Sequence, residues 1–186
     1  LLRNTNKSVV VLEADEVASG ATGHNAGQVV SYFERSFASI VDEFGLKRAG
    51  EGQQAINSAW DLLDEIYKET TIQTPVSRFT GYAGCRTIAQ VLPHLENNLL
   101  RKKAGIEPEK IFVASNVPHE PIPERFEGLY EKIPHQEILE HLETTDTTFI
   151  ASLASLKGCL NSAAVTEELA TFLTTQYEGR IAIFEK

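Results

Sequence analysis

The chain has 186 residues, of which 42% are hydrophobic and 23% charged, and a formal net charge of −9. That length supports one large domain or one and a half small ones, with the composition of an ordinary globular protein. The acidic balance and scattered Lys and Arg exclude a nucleic-acid surface, and no stretch approaches the roughly 18 apolar residues of a membrane span.

Leu1-Leu2-Arg3 reads as the last turn of a helix, and Asn4 to Lys7 as the loop into a strand. That opening is too polar and too short for a signal peptide. Ser8 to Glu13, Ser-Val-Val-Val-Leu-Glu, predicts a strand buried on both faces of a parallel sheet and ending in an acid. Residues 18–27 form a small-residue loop with Gly20, Gly23 and Gly27, and Gln28 to Phe33 resumes a strand-like pattern. Ser36 to Thr70 is helical, with breaks expected near Gly45 and around Gly50 to Gly52. Its last part sets Ala55, Ile56, Ala59, Trp60, Leu63, Ile66 and Tyr67 on one buried face, so Trp60 reads as core.

Pro75 ends that helix, and Arg78 to Gly84 predicts a strand carrying Phe79 and Tyr82. Thr87 to Lys103 is helical with a kink or early break at Pro93, and Arg101-Lys102-Lys103 suits the dipole at its C-terminal end. Glu107 to Glu109 is a turn before the apolar run Ile111 to Ala114. Asn116 to Pro134, with four prolines, reads as a surface connection or an irregular lid. Phe149 to Leu156 predicts a strand. Thr166 is expected to cap a helix through about Tyr177, with Glu167 and Glu168 in its first turn. Gly179 ends it, and Arg180 to Lys186 starts another strand.

Glu13 is the first residue with a chemical role in view. An acid at the C-terminal end of a parallel strand sits where open α/β folds bind ligands, and its carboxylate can accept from both hydroxyls of an adenosine ribose. Such charge-assisted bonds contribute roughly 1.5–3 kcal/mol. A solvated acid at a strand end is the alternative. The following loop favours a ligand: Gly20, Gly23 and Gly27 let backbone N–H groups approach one closely, and Thr22 adds a hydroxyl.

Val9 to Ala14 followed by Ser19-Gly-Ala-Thr-Gly-His-Asn-Ala-Gly-Gln28 resembles the second strand and flavin loop of the D-amino acid oxidase, sarcosine oxidase and glycine oxidase family, which reads "v-v-l-E-a … G-a-S-g-r-N-a-G" here. Gly158 to Thr166, the helix to Tyr177 and Gly179 to Glu185 resemble the segment where the substrate domain returns the chain to the FAD domain. The resemblance implies FAD as cofactor, Glu13 on the adenosine ribose and Ala14 beside the adenine. Ser19, Gly20, Ala21, Thr22 and Gly23 would line the pyrophosphate, and Asn25, Ala26, Gly27 and Gln28 would run past the isoalloxazine. It implies oxidation of a small amine or amino acid by hydride transfer to FAD, the imine then hydrolysing.

His24 departs from the Arg common in that family. Thr22-Gly-His-Asn-Ala-Gly27 instead resembles the Thr-x-His-x-Ala-Gly pattern of dimethylglycine dehydrogenase-like members, in which the His is bonded covalently to the flavin. The alternative is a neutral His bonded to the cofactor or to a loop carbonyl. Tyr32, Arg78 and Tyr82 are candidates for a substrate cavity. No metal site is expected: His135 and His141 are six apart, off one helix face, while His94 and His119 read as surface residues. Cys85 and Cys159 match no metal or redox spacing, so inert reduced thiols and a cytoplasmic setting are expected.

The fold class implied is α/β with an α+β substrate region. An incomplete Rossmann-like FAD-binding part, residues 1–34, is interleaved with a mixed-sheet substrate region with a helical insertion, 35–178, and a return strand, 179–186. The two ends are then expected close in space. The absence of Met, the abrupt start and the lack of a G-x-G-x-x-G turn about 20 residues before Glu13 lead to the expectation of an internal fragment, inactive and poor at binding FAD by itself. Two alternatives remain at this point: a non-catalytic α/β module or degenerate relative without cofactor, and an NAD-dependent dehydrogenase, since Glu13 suits either dinucleotide.

Overall fold

A computed structural model describes residues 1–186. In chain order the strands are β1 (Val9–Leu12), β2 (Gln28–Val30), β3 (Ser77–Cys85), β4 (Lys110–Ala114), β5 (Glu131–Ile133), β6 (Ala151–Cys159) and β7 (Ile181–Phe184). The helices are α1 (Phe37–Phe44), α2 (Leu46–Asn57), α3 (Ala59–Glu69), α4 (Ile88–Lys103), α5 (His135–His141) and α6 (Ser162–Gln176). The fold is α/β with mixed pairing: β1 and β7 form one parallel pair, and β2-β6-β4-β5 a sheet in which β3 also pairs with β6. No helix is long and apolar enough to cross a membrane.

The chain alternates between two compact units. The first comprises Leu1–Val30, Ala59–Arg78 and Lys157–Lys186. Here Val9 to Leu12 pair in parallel with Ile181 to Phe184, residue for residue, which brings the two ends of the sequence together. β1 is not buried on both faces as its composition suggests: Val10 is 62% and Leu12 79% exposed. The pair is only two strands wide, and a strand becomes a core strand only when layers cover it.

α6 begins at Ser162, and its cap lies five residues before the expected Thr166. Asn161 is the cap, its side chain accepting from the Ala164 N–H, while the Thr166 hydroxyl donates back to the Ser162 carbonyl at 2.8 Å. Glu168 therefore lies inside the helix and braces the Gln73–Thr74 loop. It accepts from both backbone N–H groups, and first of all the Thr74 bond holds its carboxyl below the usual range. On α3, Trp60 is buried, but Ala59 is exposed, as is Ala55 upstream.

The second unit comprises Ser31–Ser58 and Phe79–Leu156. One face of its sheet carries Ile111 and Val113 of β4 and Ala151 and Leu153 of β6, packed under Val91 and Leu95 of α4. Each such aliphatic side chain contributes roughly 1.5–3 kcal/mol on burial. Thr87 starts α4 with a capping box to Gln90, and the helix runs through Pro93 without a break, anchored by fully buried Val91 and Leu95.

Gly45, at φ +79°, does separate α1 from α2. The expected break at Gly50 to Gly52 is absent, and α2 runs on to Asn57. A Cβ on Gly50 would sit 3.3 Å from the Ala104 Cβ, so this glycine permits a close approach instead of stopping the helix. The Pro-rich stretch is also more ordered than expected: a 3-10 turn at Glu124–Phe126 and strand β5 lie within it, and Phe126 and Leu129 are buried.

Candidate functional site

The first unit presents Glu13 and the loop that follows it. β1 delivers Glu13 to the strand end, where its N–H donates to the Phe184 carbonyl. Its Oε1 accepts from the Asp15 N–H at 3.1 Å, which orients the carboxylate and leaves Oε2 without a partner in the chain. The loop then folds into tight turns, with Ser19 N–H bonded to Glu16, Gly23 to Gly20 and His24 to Ala21. The N–H groups of Gly20, Ala21 and Thr22 make no hydrogen bond within the chain, and all three residues are exposed. Ala14, Ala26 and Gln28 are exposed as well.

Gly27, Asn25, Leu160 and Ser162 seat this loop. Gly27 has φ +64°, and a Cβ there would stand 1.9 Å from the Leu160 carbonyl oxygen. Leu160 N–H in turn donates to the Gly27 carbonyl at 3.0 Å. Asn25 spends its side chain on the loop itself: Nδ2 donates to the Thr22 and Ala21 carbonyls, and Oδ1 accepts from Gly27 N–H. Ser162, at the first turn of α6, donates to the Thr22 carbonyl at 2.6 Å. Neither Leu160 nor Ser162 stands out in the sequence as part of this loop, because each meets it only through the return of the chain.

His24 is exposed, and its Nδ1 lies 2.9 Å from the Gly20 carbonyl. A carbonyl only accepts, so Nδ1 donates there, and Nε2 makes no bond within the chain. The loop-carbonyl bond and an available Nε2 are therefore both present. An acceptor at Glu13 and three adjacent open N–H donors suit the ribose and phosphates of a dinucleotide. The sole Gly-x-Gly-x-x-Ala run, Gly50 to Ala55, lies within α2 and forms no strand-to-helix turn.

The second unit holds a cleft of about 460 Å³. Tyr32 and Tyr82 both line it, with Phe112, Leu156, Thr80 and Ser155. Arg78 does not line this cleft; it borders a separate, smaller hollow with Asp64, Tyr67 and Thr74. It belongs to the first unit, where it forms a two-pronged ion pair with Asp64 and lies 4.8 Å over the Trp60 ring. Tyr82 is stacked on His141 at 4.2 Å, and His141 Nδ1 bonds the buried Ser152 hydroxyl at 3.0 Å. His135 and His119 bond backbone carbonyls. No three His, Cys, Asp or Glu side chains gather as a metal site. Burial pushes the Cys85 thiol up, away from reactivity.

Arg101 also lines this cleft and was hidden in the sequence by the helix-end run it opens. It is buried, ion-paired to Glu109 at 2.9 Å. The available signal was its spacing: Val91, Leu95 and Asn98 mark the inward stripe of α4, and Arg101 continues it.

The model of the FAD dependent oxidoreductase family matches residues 1–175. No curated protein and no solved structure gives a significant match.

Proposed function

Since the chain belongs to the FAD dependent oxidoreductase family, we propose that it serves the oxidation of an amine or amino acid, in the manner of the D-amino acid, sarcosine and glycine oxidases. The observation that carries this reading is the pairing of Glu13, at the end of a parallel strand, with the open N–H groups of Gly20, Ala21 and Thr22. Glu13 Oε2 accepts from the adenosine ribose, and the three donors meet the pyrophosphate, whose charge they offset without a basic side chain. Asn25 and Gly27 hold the next turn in shape so that residues 25–28 present backbone to the ring. Bound there, FAD supplies the acceptor for the hydride leaving the amine-bearing carbon.

In this reading residues 1–34 and 179–186 belong to the FAD-binding part and residues 35–178 to the substrate part, with Tyr82 of the latter and Tyr32, just before it, facing the substrate. We propose His24 as the residue of the covalent flavin bond that the Thr-x-His-x-Ala-Gly resemblance implies, with Nε2 the ring nitrogen that makes no bond within the chain. The two free cysteines suit a reducing, cytoplasmic setting.

The test is the visible spectrum of the full-length protein under anaerobic conditions. Flavin bands that bleach on adding sarcosine, glycine or a D-amino acid support the reading. A full-length protein without flavin overturns it, and a flavin bleached only by alcohols or hydroxy acids overturns the substrate class. Mass spectrometry after denaturation then decides the His24 bond: a flavin adduct lost in His24→Ala supports it, and an unmodified mass refutes it.

A further inference from the structure

We propose that the apolar groove formed by Phe33, α1 and α2 in the second unit docks a second copy of this chain. The two copies are related by a two-fold axis, so that Glu34 of each meets Arg48 of the other.

Two hollows of about 400 and 380 Å³ adjoin there and share Phe33, Ile40 and Phe44 as walls. Their floor belongs to the core, since Ile40 and Ala49 are buried with Phe37 and Ile106. The upper wall does not: Phe44, the last residue of α1, is 48% exposed. Gly45, at φ +79°, turns the chain directly from α1 into α2. That turn sets Arg48 beside Phe44, its guanidinium carbon 5.9 Å over the ring. Gly52 keeps the larger hollow deep, because a Cβ there would come within 3.5 Å of the Phe33 ring. A contiguous apolar hollow left open to water in this way marks an interaction surface.

The charges on the rim decide what fits. Glu34 and Arg35 border one hollow, Arg48 and Glu51 the other. Arg35 is already paired with Glu43 at 2.6 Å, and Glu51 faces Lys47 at 4.0 Å. Glu34 has no ion pair or side-chain hydrogen bond, and Arg48 has only the Phe44 ring. Two unpaired charges of opposite sign thus flank one apolar groove, with Phe44 between them. An acidic or a basic partner would satisfy one and be repelled by the other, and an apolar ligand would satisfy neither. A second copy turned about a two-fold axis satisfies both, because an isologous interface makes each contact twice. The net charge of −9 sets two copies against each other on most faces, whereas here the four bordering charges cancel. Phe44 then sits at the centre of the interface, where a packed aromatic contributes most.

The test is sedimentation velocity of the full-length protein over a concentration series. The wild type is expected to dimerise reversibly. Glu34→Arg and Arg48→Glu should each weaken the dimer by at least about tenfold, since each sets like charges together at both ends of the interface. Mixed in equal amounts, the two variants should dimerise with each other about as tightly as the wild type. In that mixture the added Arg meets the added Glu, and the remaining Arg48 meets the remaining Glu34. Recovery on mixing also shows that both variants are folded. Phe44→Ser should weaken the dimer by about thirtyfold or more. A wild type that stays monomeric, single variants that dimerise as well as the wild type, or a mixture no better than its components overturns the proposal. A dimer that survives Phe44→Ser is held by another face, and that result overturns it as well.

Discussion

Gly27→Ala is the sharpest perturbation of the loop. An L residue at φ +64° costs about 1–2 kcal/mol. The new methyl would also stand 1.9 Å from the Leu160 oxygen, far inside contact. Leu160 must move, and its N–H bond to the Gly27 carbonyl goes with it, at about 1 kcal/mol. The total is on the order of 3 kcal/mol. Gly20→Ala is the control: nothing lies within 4 Å of its Cβ and its φ is not positive, so its effect should stay within about 0.5 kcal/mol. Trp60, the lone tryptophan, belongs to the same unit, and its ring would lie 2.9 Å from a Cβ on Gly158, in the strand that pairs with β2. Urea unfolding followed by Trp60 emission therefore reads this region directly. Two variants of equal stability would refute the account of how the loop is seated.

Asn98→Ala should destabilise the second unit by about 2–4 kcal/mol, because it strands the Glu109 N–H and carbonyl in a partly buried setting; a loss under about 1 kcal/mol in thermal melts would show that water replaces the amide there. The Thr148 hydroxyl, then the Arg86 guanidinium, hold the Asp146 carboxyl down to about 2. A depressed acid stabilises above its unfolded pKa of about 4, and that contribution disappears as pH falls toward 2. Asp146→Asn should thus narrow its gap to the wild type between pH 4 and 2, and stability curves that stay parallel across that window would contradict the assignment. Asn161→Ala should cost about 1 kcal/mol and fray the start of α6, seen as lost amide-exchange protection at Ala164; unchanged protection would show that Thr166 can take over as cap.

What the sequence made legible was local. The Val-Val-Val-Leu-Glu run, the glycines and the capping residues act through neighbours in the chain, so β1, the loop and most helices could be read directly. What it hid depends on contacts across long separations. Composition marks β1 as a strand but cannot say which layers cover Val10 and Leu12. Asn161 and Thr166 are both competent caps, and the choice falls to Asn161, next to Leu160 at its seat on Gly27. Gly50 looks like a breaker until Ala104 is found against it. Arg101 looks like a helix-end cation, and only the return of the chain at Glu109 shows that it turns inward. Glu13 and residues 19–28 were therefore within reach of sequence reasoning, whereas the cleft required the fold.

Glu13 and its loop are proposed to hold the dinucleotide. Glu13→Gln keeps the acceptor for Asp15 but removes the charge offered to the ribose. Titration calorimetry of the full-length apoprotein should show FAD affinity reduced by about ten- to a hundredfold, one charge-assisted bond's share, with melting temperature unchanged. FAD affinity equal to that of the wild type would contradict the claim.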